Sequence, residues 1–142
     1  MRLLFDTDVI IDYLRDQADA VQYLENRSEI LLISSIVIAE LYSGLRDESE
    51  REALETFLKA FEIVSINEEI AIKGGTYRRD YYKSHGTGLA DALIAATANI
   101  RQAKLVTLNK KHFPMLKDII TPYQKTKITT KHNVTIINPQ SF

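Results

Sequence analysis

The sequence contains no cysteine, no tryptophan and only three prolines among its 142 residues. Without cysteine the chain can form neither a disulfide framework nor a zinc–thiolate site. The absence of cysteine fits a protein of a reducing compartment, and we expect a cytoplasmic location.

Long hydrophobic runs are also absent. The apolar start MRLLFDTDVIIDYL is interrupted by acids at positions 6, 8 and 12, which argues against the core of a signal peptide. No segment approaches the roughly 20 apolar residues that a transmembrane helix needs, so no membrane association is expected. The length, with 45% apolar and 26% charged residues, predicts one globular domain over residues 1–142.

The net charge is small, but the charged residues are unevenly distributed. The net charge is −1, yet residues 1–100 carry −8 and residues 101–142 carry +7. Such asymmetry favours an anionic partner for the C-terminal part, although a solvated basic loop would have the same composition.

Short apolar runs alternate with segments of helical spacing along the chain. The predicted strands are 2–6, 29–35, 62–66, 103–108 and 133–139. The predicted helices are 8–14, 18–27, 35–46, 48–61, 67–85 and 88–98, and a polar connection fills 117–132. Asp8 or Thr7, Ser35 and Asn67 are the expected caps of three of these helices. Near-continuous apolar strands in this alternation predict a parallel sheet of about five strands inside a three-layer α/β/α sandwich.

Polar residues gather where the predicted strands end. Asp6 closes the first strand, and Glu40 lies in the second turn of the helix after the second strand. Asp91 lies in the first turn of GLADALIAATA, a helix that is apolar on every side. The fourth strand ends in VTLN, which places Thr107 and Asn109 at the same edge. Ligands of such sheets bind outside the carboxyl ends of the strands, so this edge is the predicted site.

Three carboxylates brought together would repel one another and take up protons unless a cation joined them. Carboxylate oxygens are the ligands that Mg²⁺ and Mn²⁺ prefer, so we expect Asp6, Glu40 and Asp91 to hold such an ion. Helix capping is the structural alternative for Asp6 and Asp8, and a favourable helix dipole is the alternative for Asp91. The three histidines lack metal-ligand spacing and are predicted to lie at the surface: His85, His112 and His132.

Four segments in this order resemble the PIN-domain ribonucleases, in particular the toxin halves of VapBC-type toxin–antitoxin pairs. They are LLFDTDVIIDYL, SSIVIAELYSGL, GLADALIAATA and KLVTLNKKHFP, which together span about residues 2–114. The resemblance implies a metal-dependent endoribonuclease that forms a homodimer and is held inactive by a cognate antitoxin, with transfer or ribosomal RNA as substrate.

The resemblance also implies roles for individual residues. The acids carry over as Asp6, Glu40 and Asp91, and the hydroxyl residue after the first acid matches Thr7. The fourth polar position, often aspartate in the family, is Asn109 here, which lowers the charge of the pocket by one. Lys110 and Lys111 follow Asn109 directly and are the expected phosphate contacts, so with Thr7 and Thr107 they form the expected substrate-positioning set.

Three other functions remain open from the residues alone. LLFDTDVI fits the opening motif of haloacid-dehalogenase phosphatases, but no later DD or GDxxxD motif follows position 80. A receiver domain also gathers acids and Mg²⁺ at strand ends, but it needs an aspartate closing the third strand, and EIVSI has none. The third alternative is a PIN-like binding domain without catalysis.

Overall fold

The structure, a computed structural model, describes residues 1–124. Strands and helices alternate through this part of the chain. The strands are β1 (Arg2–Phe5), β2 (Ile30–Ser34), β3 (Glu62–Val64), β4 (Lys104–Val106) and β5 (Ile119–Ile120). The helices are α1 (Thr7–Leu14), α2 (Ala18–Glu25), α3 (Ser35–Ser43), α4 (Glu48–Leu58), α5 (Glu68–His85) and α6 (Leu89–Ile100). No helix among residues 1–124 combines the length and apolarity that crossing a membrane requires.

The five strands form one parallel sheet in the order β3-β2-β1-β4-β5. In the central strand, Leu4 pairs with Leu32 on one side and Leu105 on the other. All three are fully buried, because helices cover both faces of the sheet and leave no side of the central strands to water. The predicted α/β/α sandwich with a parallel sheet is therefore confirmed.

The strand order reverses between β1 and β4. From β1 the chain moves outward to β2 and β3, and it then returns to the other side of β1 to form β4 and β5. In parallel α/β sheets a crevice opens at the carboxyl ends of the two strands where the order reverses. The backbone N–H of Asp6 donates to the carbonyl of Val106 over 3.0 Å, which ties these two strand ends together.

A strand that was not predicted lies within the expected polar connection. Ile119 and Ile120 pair with β4, within the stretch 117–132 that was expected to be a connection. The predicted strand at 133–139 lies outside the described residues. After β5 the Tyr123 hydroxyl donates to the buried carboxylate of Asp12 on α1 over 2.9 Å, which ties the end of the described chain to the first helix.

Two helix caps differ from the prediction by one or two residues. Asp6, not Thr7 or Asp8, caps α1, with its side chain accepting from the Thr7 N–H. Ser34, not Ser35, caps α3. The predicted Asn67 cap of α5 is confirmed. The Ser35 hydroxyl instead accepts from the N–H of Ile66 over 3.2 Å, a tertiary contact that sequence spacing does not show.

Helices α5 and α6 cross at a glycine. A Cβ added to Gly74 would lie 2.6 Å from Cδ2 of Leu93 and 3.2 Å from its Cα, whereas a Cβ at Gly75 would meet no atom within 4 Å. The two neighbouring glycines therefore have different roles. Gly74 permits the close approach of α6, and Gly75 only lowers the helix propensity of α5.

We expect Gly75→Ala to stabilise the protein by about 0.5–1 kcal/mol, because alanine restricts the unfolded chain and favours the helix. Gly74→Ala should be less stable than Gly75→Ala by about 1–3 kcal/mol, because α6 must shift to admit the methyl group. Urea unfolding of the two variants and the wild type measures both effects. Equal stability of the two variants would contradict this account of the helix crossing.

Candidate active site

Asp6 lies at the centre of the carboxyl edge, with its side chain fixed through both oxygens. Oδ1 accepts from the Thr7 N–H over 2.8 Å, and Oδ2 accepts from the Thr107 hydroxyl over 2.7 Å. Thr107 is fully buried and Asp6 is only 7% exposed. The site therefore joins the end of β1 to the end of β4 across the switch point of the sheet.

Burial of Asp6 works against its negative charge. Burial first, and then the charge of Asp8, raise the pKa of the Asp6 carboxyl from 3.8 to about 8, while the bonds from Thr107 and Thr7 lower it. The charge of Asp91 adds a smaller increase. A carboxylate in this position favours either a proton or a nearby cation.

Glu40 reaches the same edge from α3. The Thr7 hydroxyl donates to its Oε1 over 2.6 Å, so Thr7 contacts Asp6 through its backbone and Glu40 through its side chain. Glu40 and the preceding Ala39 are exposed, although the apolar residues around them in the sequence suggested a buried acid. The structure thus connects Glu40 to Asp6 through Thr7, with Glu40 on the solvent side.

Asp91 approaches from the first turn of α6, as expected. Burial raises the pKa of its carboxyl, and contacts with His112 and the Gly88 backbone oppose that increase. Half of the twelve residues of α6 are buried, but Leu89 is 54% exposed, so the helix does not turn every face to the core as its apolar sequence suggested. Asn109 completes the edge after β4, and its backbone N–H donates to the Thr107 hydroxyl over 3.0 Å.

Two residues at this edge were not predicted as part of the site. The Asp8 carboxylate accepts from the N–H of Leu108 over 3.0 Å, and its charge acts directly on Asp6. His112 was expected at the surface, but its Nδ1 lies 3.2 Å from Oδ2 of Asp91 and 2.7 Å from Nδ2 of Asn109. The spacing DxD was the available signal for Asp8. No local pattern marks His112, because its contact with Asp91 is tertiary.

Of the other two histidines, the structure describes His85 and not His132. His85 is exposed at the end of α5, where its ring contacts the hydroxyl of Ser84 over 2.8 Å. His132 lies outside the described residues. Lys110 and Lys111 are exposed in a 3₁₀ turn that begins directly after Asn109, next to the acidic edge.

The donor set is chemically suited to a hard divalent cation. It consists of carboxylates and an amide, whose oxygens are ligands that Mg²⁺ and Mn²⁺ take in proteins. Burial disfavours the charged form of Asp6, so a cation beside it would be stabilising. As the side chains stand, no group of three or more histidine, aspartate or glutamate residues within 1–124 is spaced to hold a metal ion. The joint coordination of Asp6, Glu40 and Asp91 therefore stays a prediction.

A parallel sheet with an acidic edge at its switch point defines an α/β protein whose chemistry is centred on carboxylates. The family model of the PIN domain matches residues 3–117, and the chain belongs to this family. Membership in the PIN family excludes two of the alternatives, the haloacid-dehalogenase phosphatases and the receiver domains.

Curated relatives narrow the family further. The chain is 42% identical over 124 residues to Ribonuclease VapC19 of Mycobacterium tuberculosis, a match that covers 84% of this chain and 98% of the relative. It is 36% identical over 119 residues to Ribonuclease VapC1 of Methanocaldococcus jannaschii, covering 82% of each chain. Within the PIN family, the chain therefore groups with the VapC ribonucleases.

Solved structures agree with this placement. A toxin–antitoxin complex from Klebsiella pneumoniae superposes with a TM-score of 0.76 at 30% identity, covering 87% of this chain and 99% of that one. VapBC2 from Rickettsia felis, bound to a DNA fragment from its promoter, gives a TM-score of 0.71 at 28% identity and covers 84% and 96%.

The raised pKa of Asp6 leads to a prediction for the metal-free protein. Between pH 3.8 and about 8 the folded state holds a proton on Asp6 that the unfolded state releases. The contribution of the neutral Asp6 carboxyl to the stability of the folded state is thus fully present below pH 3.8, and it is lost as the pH rises through about 8. We expect Asp6→Asn to raise the unfolding midpoint at pH 8 in EDTA by about 3–8 °C, since a neutral amide has no charge to bury.

The matched control is Asp80→Asn, which removes an exposed carboxylate that pairs with Arg79 on α5. Melting curves of the three proteins at pH 5 and pH 8 give the comparison. The gain of Asp6→Asn over the wild type should be clearly larger at pH 8 than at pH 5. A gain that is equal at both pH values, or matched by Asp80→Asn, would show that the Asp6 charge does not oppose folding.

Proposed function

We propose that this protein is a metal-dependent endoribonuclease that acts in the cytoplasm as the toxin of a toxin–antitoxin pair. The observation that carries the proposal is the buried carboxylate of Asp6, held at the switch point among the acids Asp8 and Asp91. Relatives with the same fold are ribonucleases by name, and structural neighbours are toxin–antitoxin complexes. Transfer or ribosomal RNA is the proposed substrate.

In this proposal Asp6, Glu40 and Asp91 hold one Mg²⁺ or Mn²⁺, and Asn109 contributes a neutral polar group beside them. The chemistry expected of such an ion is a lowered pKa of water and neutralised charge on the phosphodiester. Thr107 and the Thr7 N–H orient the two oxygens of Asp6, and the Thr7 hydroxyl orients Glu40. These contacts orient the carboxylates of Asp6 and Glu40, which supports a role for both in holding the cation.

The acidic edge also suits a protein partner. A basic or amide side chain inserted among the carboxylates would neutralise them and exclude RNA, which is the inhibition we propose for the cognate antitoxin. Self-association is part of the proposal as well. Ile72 on α5 and Leu89 on α6 are 63% and 54% exposed, and a homodimer would give these side chains an apolar surface to contact.

Asp6→Asn and Asp91→Asn should each lower the rate of RNA cleavage in Mg²⁺ by more than about 100-fold, because even outer-shell partners of metal ligands change activity by 10–100-fold. Cleavage of purified transfer and ribosomal RNA by the wild type, with and without EDTA, gives the reference. Asp80→Asn, purified in the same way, should keep wild-type activity, and the loss of activity in the two site variants from identical preparations excludes a contaminating nuclease.

The same proteins test the biological role in their host. Expression of the wild type should stop growth, and co-expression with the product of the neighbouring gene should restore it. Full cleavage by both Asp6→Asn and Asp91→Asn would refute the site. A wild type that is harmless and cuts no RNA would refute the toxin.

Lys110 and Lys111, which we call the lysine rim, generate a separate prediction about RNA binding. Phosphate contacts release counterions, so each contact that is lost flattens the dependence of log affinity on log salt by roughly one. Replacing Lys110 and Lys111 with glutamine should therefore flatten the slope by up to about two units and weaken binding across many RNA sequences. All proteins carry Asp91→Asn in this experiment, so that the RNA stays intact.

The control for this experiment changes the same charge elsewhere. Lys59 follows α4, and Lys73 lies over the ring of Tyr77 on α5, away from the acidic edge. Their double glutamine variant should keep the wild-type salt slope. Identical slopes for both double variants would mean that Lys110 and Lys111 form an ordinary solvated surface.

A further inference from the structure

His112 occupies the space between two groups of the acidic edge that come from different elements. Asp91 belongs to α6, and Asn109 follows β4. Both reach the same ring nitrogen, Nδ1, at 3.2 Å from Asp91 Oδ2 and 2.7 Å from Asn109 Nδ2. The side chains of His112 and Asp91 are 28% and 27% exposed, so the contact is shielded from solvent on most sides.

The backbone of His112 is also held by two hydrogen bonds. Its N–H donates to the Asn109 carbonyl over 3.1 Å, and its own carbonyl accepts from the buried Thr87 hydroxyl over 2.8 Å. The next residue, Phe113, is 1% exposed in the core. Thr87 lies in the short loop before α6, so the same loop that begins the Asp91 helix also holds His112 in place.

One ring nitrogen cannot serve both neighbours in every arrangement. A hydrogen on Nδ1 can be donated to the Asp91 carboxylate, and Asn109 must then turn its amide oxygen toward the ring. Without that hydrogen, Nδ1 accepts from the Asn109 NH₂ group and offers Asp91 nothing. The His112 tautomer and the orientation of the Asn109 amide are therefore coupled, and a hydrogen on Nδ1 must be shared if the ring is to serve both the Asp91 carboxylate and the Asn109 amide oxygen.

We propose that His112 is a positioning residue of the active site, whose Nδ1 fixes the carboxylate of Asp91 and the amide of Asn109 relative to each other. The inference rests on the proposed nuclease function and extends it by one residue. His112 acts through its two neighbours. Its effect on catalysis is to hold two groups, one from α6 and one from the end of β4, in a preset relation to Asp6.

The role of Nδ1 makes a distinctive substitution series possible. In asparagine the amide atoms are two bonds from Cβ, as Nδ1 is in histidine, whereas in glutamine they are three bonds away, as Nε2 is. His112→Asn can therefore restore contacts at the Nδ1 position, and His112→Gln cannot. His85→Ala is the matched control, because within residues 1–124 the His85 ring contacts Ser84 and Tyr81 on its own helix and not the acidic edge.

We expect His112→Ala to weaken Mn²⁺ binding, measured by electron paramagnetic resonance of the free ion, by about 10–100-fold. The kcat for RNA cleavage should fall by a similar factor with little change in KM, since the lysine rim is untouched. His112→Asn should recover most of both losses, and His112→Gln should recover little. His85→Ala should match the wild type in Mn²⁺ affinity and kcat.

A third measurement depends on neither metal nor RNA. In the metal-free protein the side-chain amide NMR signals of Asn109 should shift in His112→Ala and stay unchanged in His85→Ala. Unchanged Asn109 signals, or equal rescue by His112→Asn and His112→Gln, would overturn the inference. If the wild type cuts no RNA, the proposed function fails, and Mn²⁺ affinity and the Asn109 signals still decide the role of His112.

Discussion

The hydrogen bond from Thr107 to Asp6 joins the two strand ends between which the order of the sheet reverses. Both groups are buried, so each needs the other: the hydroxyl requires an acceptor and the carboxylate requires donors. Together with the backbone bond from Asp6 to Val106, this hydrogen bond ties β1 to β4 at their carboxyl ends. Asp8, Asn109 and the turn carrying His112 are arranged around it, because each follows one of these two strands.

This constraint places carboxylates that repel one another close together at the carboxyl edge of the sheet. The fold stabilises Asp6 through two hydrogen bonds but surrounds it with apolar residues and with the charges of Asp8 and Asp91. The apolar core and the acidic edge therefore have opposite requirements. Burial stabilises the apolar side chains of β1, but it disfavours the charged form of Asp6 at the end of that strand. Asp6 caps α1, but a carboxyl with so strongly raised a pKa at a sheet crevice is also the kind of group that occurs at functional sites.

Much of this arrangement could be predicted from the sequence. The first four strands, the parallel sheet and the placement of acids at strand ends depend on apolar runs and alternation, which are local patterns. Ile119 and Ile120 form too short a strand to show a period and stand among polar residues. The exposure of Glu40 and the contact of His112 with Asp91 depend on how α3 and α6 sit on the sheet, which no local spacing encodes. Gly74 and Gly75 are identical in sequence terms, and only the position of Leu93 distinguishes them.

The two residues joined by the Thr107–Asp6 bond are 101 positions apart in the chain. Synthesis proceeds from the N-terminus, so Asp6 leaves the ribosome long before Thr107, Asn109 and His112 exist. A nascent or truncated chain that ends before residue 104 has Asp6, Glu40 and Asp91 but no fourth strand to pair with β1. The acidic edge can therefore assemble only after β4 and the residues that follow it have been synthesised.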